Sequence, residues 1–340
     1  AFNEPKIMYI NPAGIPTYGT DEITIAGANL GTPQMYEENR VVIDVDGEKC
    51  TNVTLIASPR LTGSSIVDMK VSCIAPPAQG SVIPHFSAVS ILIDDIHGNT
   101  NVDLLRYLSP LVDAIHPISV PATGYEDILI RGNFFGDGSG KQTLLASING
   151  TLCEETTWIS TRSIKCKVPP GHTEAKANVI VSINGKTDPR NFNNKLLRYT
   201  GPKVLAIMPM KGPAYGGTRI TLTGRGLAST TTPVVGIPFI KIGNNSCVDV
   251  DVISDEKVTC TTTDTFDVGY QAIRVKLWTG KGYSSTDEEE AYDLATNGTT
   301  EDSPRRFFYD SPVIRQMSPA DGAAYGGDIL HLYGSNFGNG

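Results

Sequence analysis

Long hydrophobic runs are absent from this chain of 340 residues, and so is any excess of positive charge. Without about twenty consecutive apolar residues, no segment is expected to span a membrane. The formal net charge of -8 leaves no basic footprint of the kind that binds a nucleic acid backbone. No stretch shows the periodicity of a long amphipathic helix, and charged residues make up only 19% of the chain. These absences argue against membrane-spanning, nucleic-acid-binding and mainly helical proteins.

Residue patterns that carry catalysis or bind metals are also missing. None of the five histidines has a metal-ligating spacing to another histidine or to a cysteine. Residues 44–48 resemble only the start of a calcium loop and are interpreted as a hairpin turn, while residues 136–141 depart from the phosphate-binding loop pattern. Residues 287–290 are interpreted as a solvated acidic loop. We therefore expect no cofactor, no metal and no enzymatic activity.

The chain is instead rich in glycine (34) and proline (22), and one motif recurs four times. The copies occupy residues 5–31, 110–136, 202–227 and 312–338. Their period of roughly 90 to 110 residues is the size of a domain and too long for a solenoid repeat. We expect domains at residues 1–108, 109–200 and 201–310, followed by the first strands of an incomplete fourth domain at residues 311–340.

Within each copy, apolar residues alternate with others before a shared glycine. This alternation of period two predicts a strand with one buried face. A proline lies upstream in every copy, and because proline cannot donate a ladder hydrogen bond, we expect the first strand to bend there and to be able to change sheets. About seven strands in roughly 100 residues fit an immunoglobulin-like sandwich. The predicted fold is therefore all-β, with tandem sandwiches. The shared glycines are Gly27, Gly132, Gly224 and Gly334.

The six cysteines fall two in each full copy, in register with the repeat. This register favours three disulfides, and the alternative is three pairs of buried free thiols. Disulfides would indicate an oxidising compartment. The predicted pairs are Cys50–Cys73, Cys153–Cys166 and Cys247–Cys260.

Four Asn-x-Ser/Thr sequons predict N-linked glycans. Three of the sequons lie within a few residues of the first cysteine of their copy. A glycosylated chain would agree with the oxidising compartment that the cysteines indicate. The acceptor residues are Asn52, Asn149, Asn244 and Asn297.

The recurring motif resembles the IPT/TIG domain, an immunoglobulin-like fold of plexins and transcription factors. Residues 326–338 are the cleanest copy, whereas Arg225 and Leu227 depart from its Asn-Phe-Gly ending and the second copy lacks the double glycine. The paired cysteines are similar to those of extracellular members. The resemblance covers essentially the whole chain and implies the fold. It does not fix the function, because the family includes receptors, adhesins, transcription factors and enzyme accessory domains.

These observations favour a non-enzymatic structural or adhesive protein that is extracellular or on the cell surface. Short linkers with a proline at each junction predict a semi-rigid rod. The alternative is the ligand-binding ectodomain of a receptor of plexin or hepatocyte-growth-factor-receptor type. A DNA-binding domain of Rel type is opposed by the acidic charge, the cysteines and the sequons. The accessory array of a carbohydrate-active enzyme would need a catalytic domain that this sequence does not contain.

The fourth copy supplies two strands whose apolar face includes Leu330, Leu332 and Phe337. Two strands alone are marginal in water, so this face needs a cover. Either the natural chain continues beyond Gly340, or another chain completes the sandwich by β-strand addition. A head-to-tail contact that does not close would build a filament. The expected partners are therefore a second copy of this chain or another surface protein.

Overall fold

The computed structural model describes residues 4–57, 60–62, 65–67, 69–78, 86–94, 96–171, 176–191, 196–230, 235–279, 283–285 and 306–338. These residues are almost entirely strands and turns. The helical pieces are a five-residue helix, α1 (Pro33–Glu37), and a three-residue 3-10 turn (Pro189–Asn191). Neither was predicted from the sequence, and the all-β prediction is confirmed.

The strands follow the four copies of the motif. The first part of the chain contains β1 (Lys6–Asn11), β2 (Gly14–Pro16), β3 (Glu22–Ala28), β4 (Val41–Val45), β5 (Glu48–Lys49), β6 (Thr51–Ala57), β7 (Arg60–Thr62), β8 (Ser65–Val67), β9 (Met69–Ile74), β10 (Phe86–Ile93), β11 (Ile96–His97) and β12 (Asn101–Leu108). The second part contains β13 (Leu111–His116), β14 (Ser119–Pro121), β15 (Asp127–Asn133), β16 (Leu144–Ile148), β17 (Thr151–Leu152), β18 (Glu155–Ser160), β19 (Ser163–Lys167), β20 (Lys176–Ile183) and β21 (Leu196–Thr200).

The third part contains β22 (Lys203–Met208), β23 (Lys211–Pro213), β24 (Arg219–Arg225), β25 (Phe239–Ile242), β26 (Asn245–Ser246), β27 (Val248–Ser254), β28 (Lys257–Thr261), β29 (Gly269–Trp278), β30 (Tyr283–Ser285) and β31 (Arg306–Asp310). The terminal part contains β32 (Val313–Ser318) and β33 (His331–Ser335).

By its contacts the chain forms two compact units. One contains residues 1–117, 127–167 and 178–197, and the other contains residues 118–126, 168–177 and 198–340. The predicted domain boundaries and the semi-rigid rod stay predictions.

The same pair of sheets is built three times. The first sheet has the strand order β1-β3-β9-β6, then β13-β15-β19-β18, then β22-β24-β28-β27. The second sheet has the order β2-β12-β10-β4-β5, then β14-β21-β20-β16-β17, then β23-β31-β29-β25-β26. This is the arrangement of tandem immunoglobulin-like sandwiches. The strands β7 and β8 form a separate hairpin, and β32 pairs only with β33 among the described strands.

The proline in each motif marks the point where the chain changes sheets. β1 pairs antiparallel with β3, whereas β2 pairs parallel with β12 in the opposite sheet. Pro12 lies between these two strands and cannot donate the hydrogen bond that would continue the first ladder. The later copies repeat the change, with β14 on β21 and β23 on β31. The predicted bend is thus confirmed as a change of sheet.

The core lies between the two sheets and is formed by the alternating residues. In the first sandwich Ile23 and Ile25 of β3 are fully buried with Ile43 of β4 and Val89 of β10. In the third, Ile220 and Leu222 occupy the same places in β24. Each buried aliphatic side chain contributes about 1.5–3 kcal/mol. The period-two pattern therefore predicts the buried face correctly in these domains.

The glycine shared by all four copies is required by a close backbone approach. A Cβ atom on Gly224 would lie 2.0 Å from the carbonyl oxygen of Lys203, and one on Gly132 would lie 2.0 Å from that of Leu111. Gly27 and Gly334 make the same approach. The neighbouring strand carries a register shift, typical of a β-bulge, next to this contact.

In each sandwich the hydroxyl group of a buried tyrosine in the last strand contacts a backbone carbonyl of an earlier segment. The hydroxyl groups of Tyr107 and Tyr199 donate to the carbonyl oxygens of Pro76 at 2.5 Å and Pro169 at 2.8 Å. Tyr309 has the corresponding contact to the carbonyl of Thr263, at 3.5 Å. Burial, with a smaller effect from Asp264, raises the pKa of Tyr309 to about 12. The sequence pattern did not predict these bonds.

Candidate interaction surface

The terminal hairpin formed by β32 and β33 carries the predicted assembly residues. The two strands are antiparallel, with Met317 opposite Leu332 and Ile314 opposite Gly334. The register shifts between Ile314 and Gln316, as it does in the corresponding strands of the three sandwiches. The hairpin is therefore built like the first two strands of another sandwich.

Five apolar side chains of this hairpin correspond to core residues of the third sandwich. In the third sandwich these positions are 0% to 6% exposed. In the hairpin the same positions are 46% to 58% exposed. Because each side chain is already about half buried, covering it fully would stabilise an assembly by roughly 1 kcal/mol. The core residues are Val204, Ile207, Ile220, Leu222 and Leu227, and their hairpin counterparts are Ile314, Met317, Leu330, Leu332 and Phe337.

Two of the three predicted cysteine pairs are disulfide-bonded. The sulfur atoms are 1.99 Å apart in Cys153–Cys166 and 2.05 Å apart in Cys247–Cys260. The second cysteine of each pair lies in the strand next to the one that contains the alternating core residues. Each bond joins residues 13 apart in sequence, and a closed loop of that size contributes about 3 kcal/mol under the chain-entropy model.

The third pair, Cys50 and Cys73, differs from the prediction, because both residues are free and buried. The amide of Cys50 donates to the carbonyl of Ile43 at 2.8 Å, as the amide of Cys153 does to that of Ala146. A hydrogen bond with Cys50, together with burial, raises the pKa of the Cys73 thiol. The positions of the cysteines therefore match those of the bonded pairs, although no disulfide joins Cys50 to Cys73.

The three sequon asparagines in the described part of the chain are exposed. Asn149 lies in the turn between β16 and β17, with a φ of 50°, and Asn244 lies in the equivalent turn between β25 and β26. Asn52 is in β6, two residues after Cys50, with a φ of 53°. All three side chains can be reached from solvent. Asn297 lies outside the described residues, as does the acidic run at residues 287–290.

Within the described residues, no group of three or more His, Cys, Asp and Glu side chains is placed to hold a metal ion. The segment that begins at Asp44 and resembles the start of a calcium loop forms a turn. In this turn Asp44 Oδ1 accepts a hydrogen bond from the amide of Gly47 at 2.7 Å. No helix in the described part of the chain is long and apolar enough to cross a membrane.

The fold and the disulfides define a chain of tandem immunoglobulin-like sandwiches. The model of the IPT/TIG domain matches residues 5–107, 110–199 and 202–289. The chain therefore belongs to the IPT/TIG domain family, and the resemblance seen in the sequence is confirmed.

Among solved structures, the chain is similar to the full extracellular region of plexin A4, at 16% identity and a TM-score of 0.30. The alignment covers 96% of this chain and 27% of that one, so the chain spans about a quarter of the plexin region. It is also similar to the surface glycan-binding protein PbSGBP-B from Prevotella bryantii, with 13% identity, a TM-score of 0.24 and coverage of 73% and 68%. An ICAM-5 D1–D4 ectodomain fragment matches with 12% identity, a TM-score of 0.21 and coverage of 93% and 80%.

Proposed function

We propose that this chain acts as a non-enzymatic extracellular structural or adhesive protein, and that its terminal hairpin is completed by strands from a second copy. The two disulfides support an oxidising environment, outside the cell or at its surface. The exposed sequons Asn52, Asn149 and Asn244 are proposed to carry N-linked glycans in that environment.

The single observation that carries the assembly is the exposed apolar face of the hairpin. Leu330, Leu332 and Phe337 stand where the third sandwich has fully buried residues. An incoming strand would pair with the open edge of the hairpin, which is β-strand addition, and further strands of the second copy would cover these side chains as the opposite sheet does in the third sandwich. With the donated strands taken from another part of the chain, each copy would leave its own hairpin free for the next, and copies would join end to end.

The assembly is tested on the natural full-length protein by intact mass, analytical ultracentrifugation and electron microscopy. We expect end-to-end oligomers or fibres. A variant with Leu330→Asp and Leu332→Asp should remain monomeric, because two charges would be buried without partners. His331→Asp is the matched control, since this residue alternates with the two leucines and points to the other face. Monomers of the unaltered protein would contradict the assembly.

The alternative function is that of a ligand-binding ectodomain of a plexin-like surface receptor. In that case the natural chain continues and its own later strands cover the hairpin. Intact mass would then show residues beyond Gly340, including a membrane anchor, and hydrogen exchange would show Leu332 protected in the monomer. The same measurements therefore distinguish the two functions.

A further inference from the structure

The second sheet of the third sandwich presents a basic and aromatic face to solvent. In β29 the residues alternate, so that Ile273, Val275 and Leu277 are buried and the intervening side chains point outward. The outward positions of the adjacent strands follow from the pairing register. The outward basic residues of this face are Lys211, Lys241, Arg274, Lys276 and Arg306. The described strands add one carboxylate, Asp310, at the edge of the sheet.

Two of these cations stand directly opposite each other. Lys241 of β25 pairs with Arg274 of β29, and Arg306 of β31 pairs with Ala272, which makes it a diagonal neighbour of Arg274. Like charges directly opposite one another destabilise a sheet. The three cations lie on three adjacent strands, so they cover about 10 Å across the sheet. A multivalent anion would relieve their repulsion by binding across them.

The equivalent positions in the other two sandwiches carry no such pair. In the first sandwich Ser90 stands opposite Asp44, and in the second Ile180 stands opposite Ser147. The buried neighbours are apolar in all three cases, so the fold itself does not require cations at these positions. The basic cluster is thus a property of the third sandwich in a chain whose net charge is -8.

Aromatic rings lie among the cations. Phe239 stands opposite Lys276 and has the ammonium group of Lys241 5.8 Å from its ring centroid. Tyr270 and Phe308 stand opposite each other with ring centroids 4.8 Å apart. Phe239 and Tyr270 are both exposed. Exposed rings beside cations on an open sheet offer flat apolar contacts and charge contacts together.

We propose that this face binds an acidic polysaccharide, with its sulfate or carboxylate groups on Lys241, Arg274 and Arg306 and its sugar rings against Phe239 and Tyr270. An extended anionic chain can lie across the three adjacent strands, and its charge complements the cluster. The disulfides indicate an oxidising compartment, where a polysaccharide is a more suitable partner than a nucleic acid. The binding does not depend on assembly through the terminal hairpin, so a failure of either proposal leaves the other standing.

The proposal is tested with heparin as a sulfated probe, polygalacturonate as a carboxylated probe and dextran as a neutral control. Binding of the full chain is measured by calorimetry at several salt concentrations. We expect binding to at least one acidic probe, weakening as salt rises, and none to dextran. The variant Lys241→Gln, Arg274→Gln, Arg306→Gln should bind roughly tenfold to a hundredfold more weakly. Hydrogen exchange should show protection by the probe on β25, β29 and β31.

The matched control removes three exposed cations from other strands, in the variant Arg131→Gln, Arg225→Gln, Lys257→Gln. It should keep the affinity of the unaltered chain. A further variant, Phe239→Ser, keeps the charge and should bind severalfold more weakly because a ring contact is lost. No binding to either acidic probe, equal losses in both triple variants, an unchanged Phe239→Ser variant, or equally tight binding of poly-glutamate or DNA would each overturn the proposal. The exchange measurement also shows whether each variant is folded.

Discussion

Replacing Gly224 with alanine should destabilise the third sandwich strongly, although the same replacement stabilises many proteins. The added Cβ would lie 2.0 Å from the carbonyl oxygen of Lys203 and 3.1 Å from the Cα of Val204. Both are backbone atoms, so no side-chain rotation can relieve the contact. The amide of Gly224 also donates to the carbonyl of Glu256 at 2.9 Å, which holds the strand from its other side.

The expected loss follows from the displacement that the contact demands. The two strands must separate by more than about 1 Å to restore an ordinary contact, which breaks one or two ladder hydrogen bonds and loosens the core beside them. We estimate about 2–4 kcal/mol for the free energy of unfolding. Gly224 does not have a positive φ, so the loss is steric and not a matter of backbone conformation.

The measurement is native-state hydrogen exchange of the full chain, read by mass spectrometry. Peptides from β22, β24 and β28 should lose protection, while peptides from β3 and β9 keep theirs. Gly236→Ala is the matched control, because a Cβ there would have its nearest neighbour, the Cβ of Trp278, at 3.6 Å. It should be neutral or stabilising by up to about 1 kcal/mol. Equal exchange protection of the third sandwich in the Gly224→Ala and Gly236→Ala variants would show that the close approach at Gly224 does not require glycine.

Three further predictions concern buried side chains. Tyr199→Phe should lower the free energy of unfolding by about 1–2 kcal/mol in urea titrations, because the buried carbonyl of Pro169 loses its donor; an unchanged midpoint would contradict this. Because burial raises the pKa of Tyr309 to about 12, stability should be full below pH 10 and fall between pH 10 and 12, where the unfolded chain releases its proton first. Tyr309→Phe should make denaturation midpoints less sensitive to pH in that range. Non-reducing peptide mapping of the full chain should find Cys153 linked to Cys166 and Cys247 linked to Cys260, with Cys50 and Cys73 as thiols, and a bond between Cys50 and Cys73 would refute this prediction.

The sequence predicted most of the fold because the repeat shows each position several times. Ile220 and Leu222 keep register with Ile23 and Ile25, and this common register identifies a buried strand face more firmly than one copy could. The turn at Asp46 and Gly47 was equally visible, since both residues take the positive φ values that Asp-Gly hairpins favour. Helix α1 was missed because five residues are too few to show a helical period.

The sequence predicted less of the candidate sites, because it does not show which side chains meet across strands. The cysteine pattern predicted three disulfides, but the structure has two, and Cys50 and Cys73 are thiols. The cations Lys241, Arg274 and Arg306 are 33 and 32 residues apart in sequence, and no local pattern connects them. Only the pairing of β25, β29 and β31 brings them onto one face.

By itself the sequence determined the fold class, the buried strand faces and the family of this protein. These properties depend on local alternation, turn residues and repetition, which are all visible in the order of the residues. The tertiary structure decided why the repeated glycine is needed, where the tyrosine hydroxyls bind and which cations gather on one face. These depend on contacts between strands that are distant in sequence, and their register is set only when the sheets have formed.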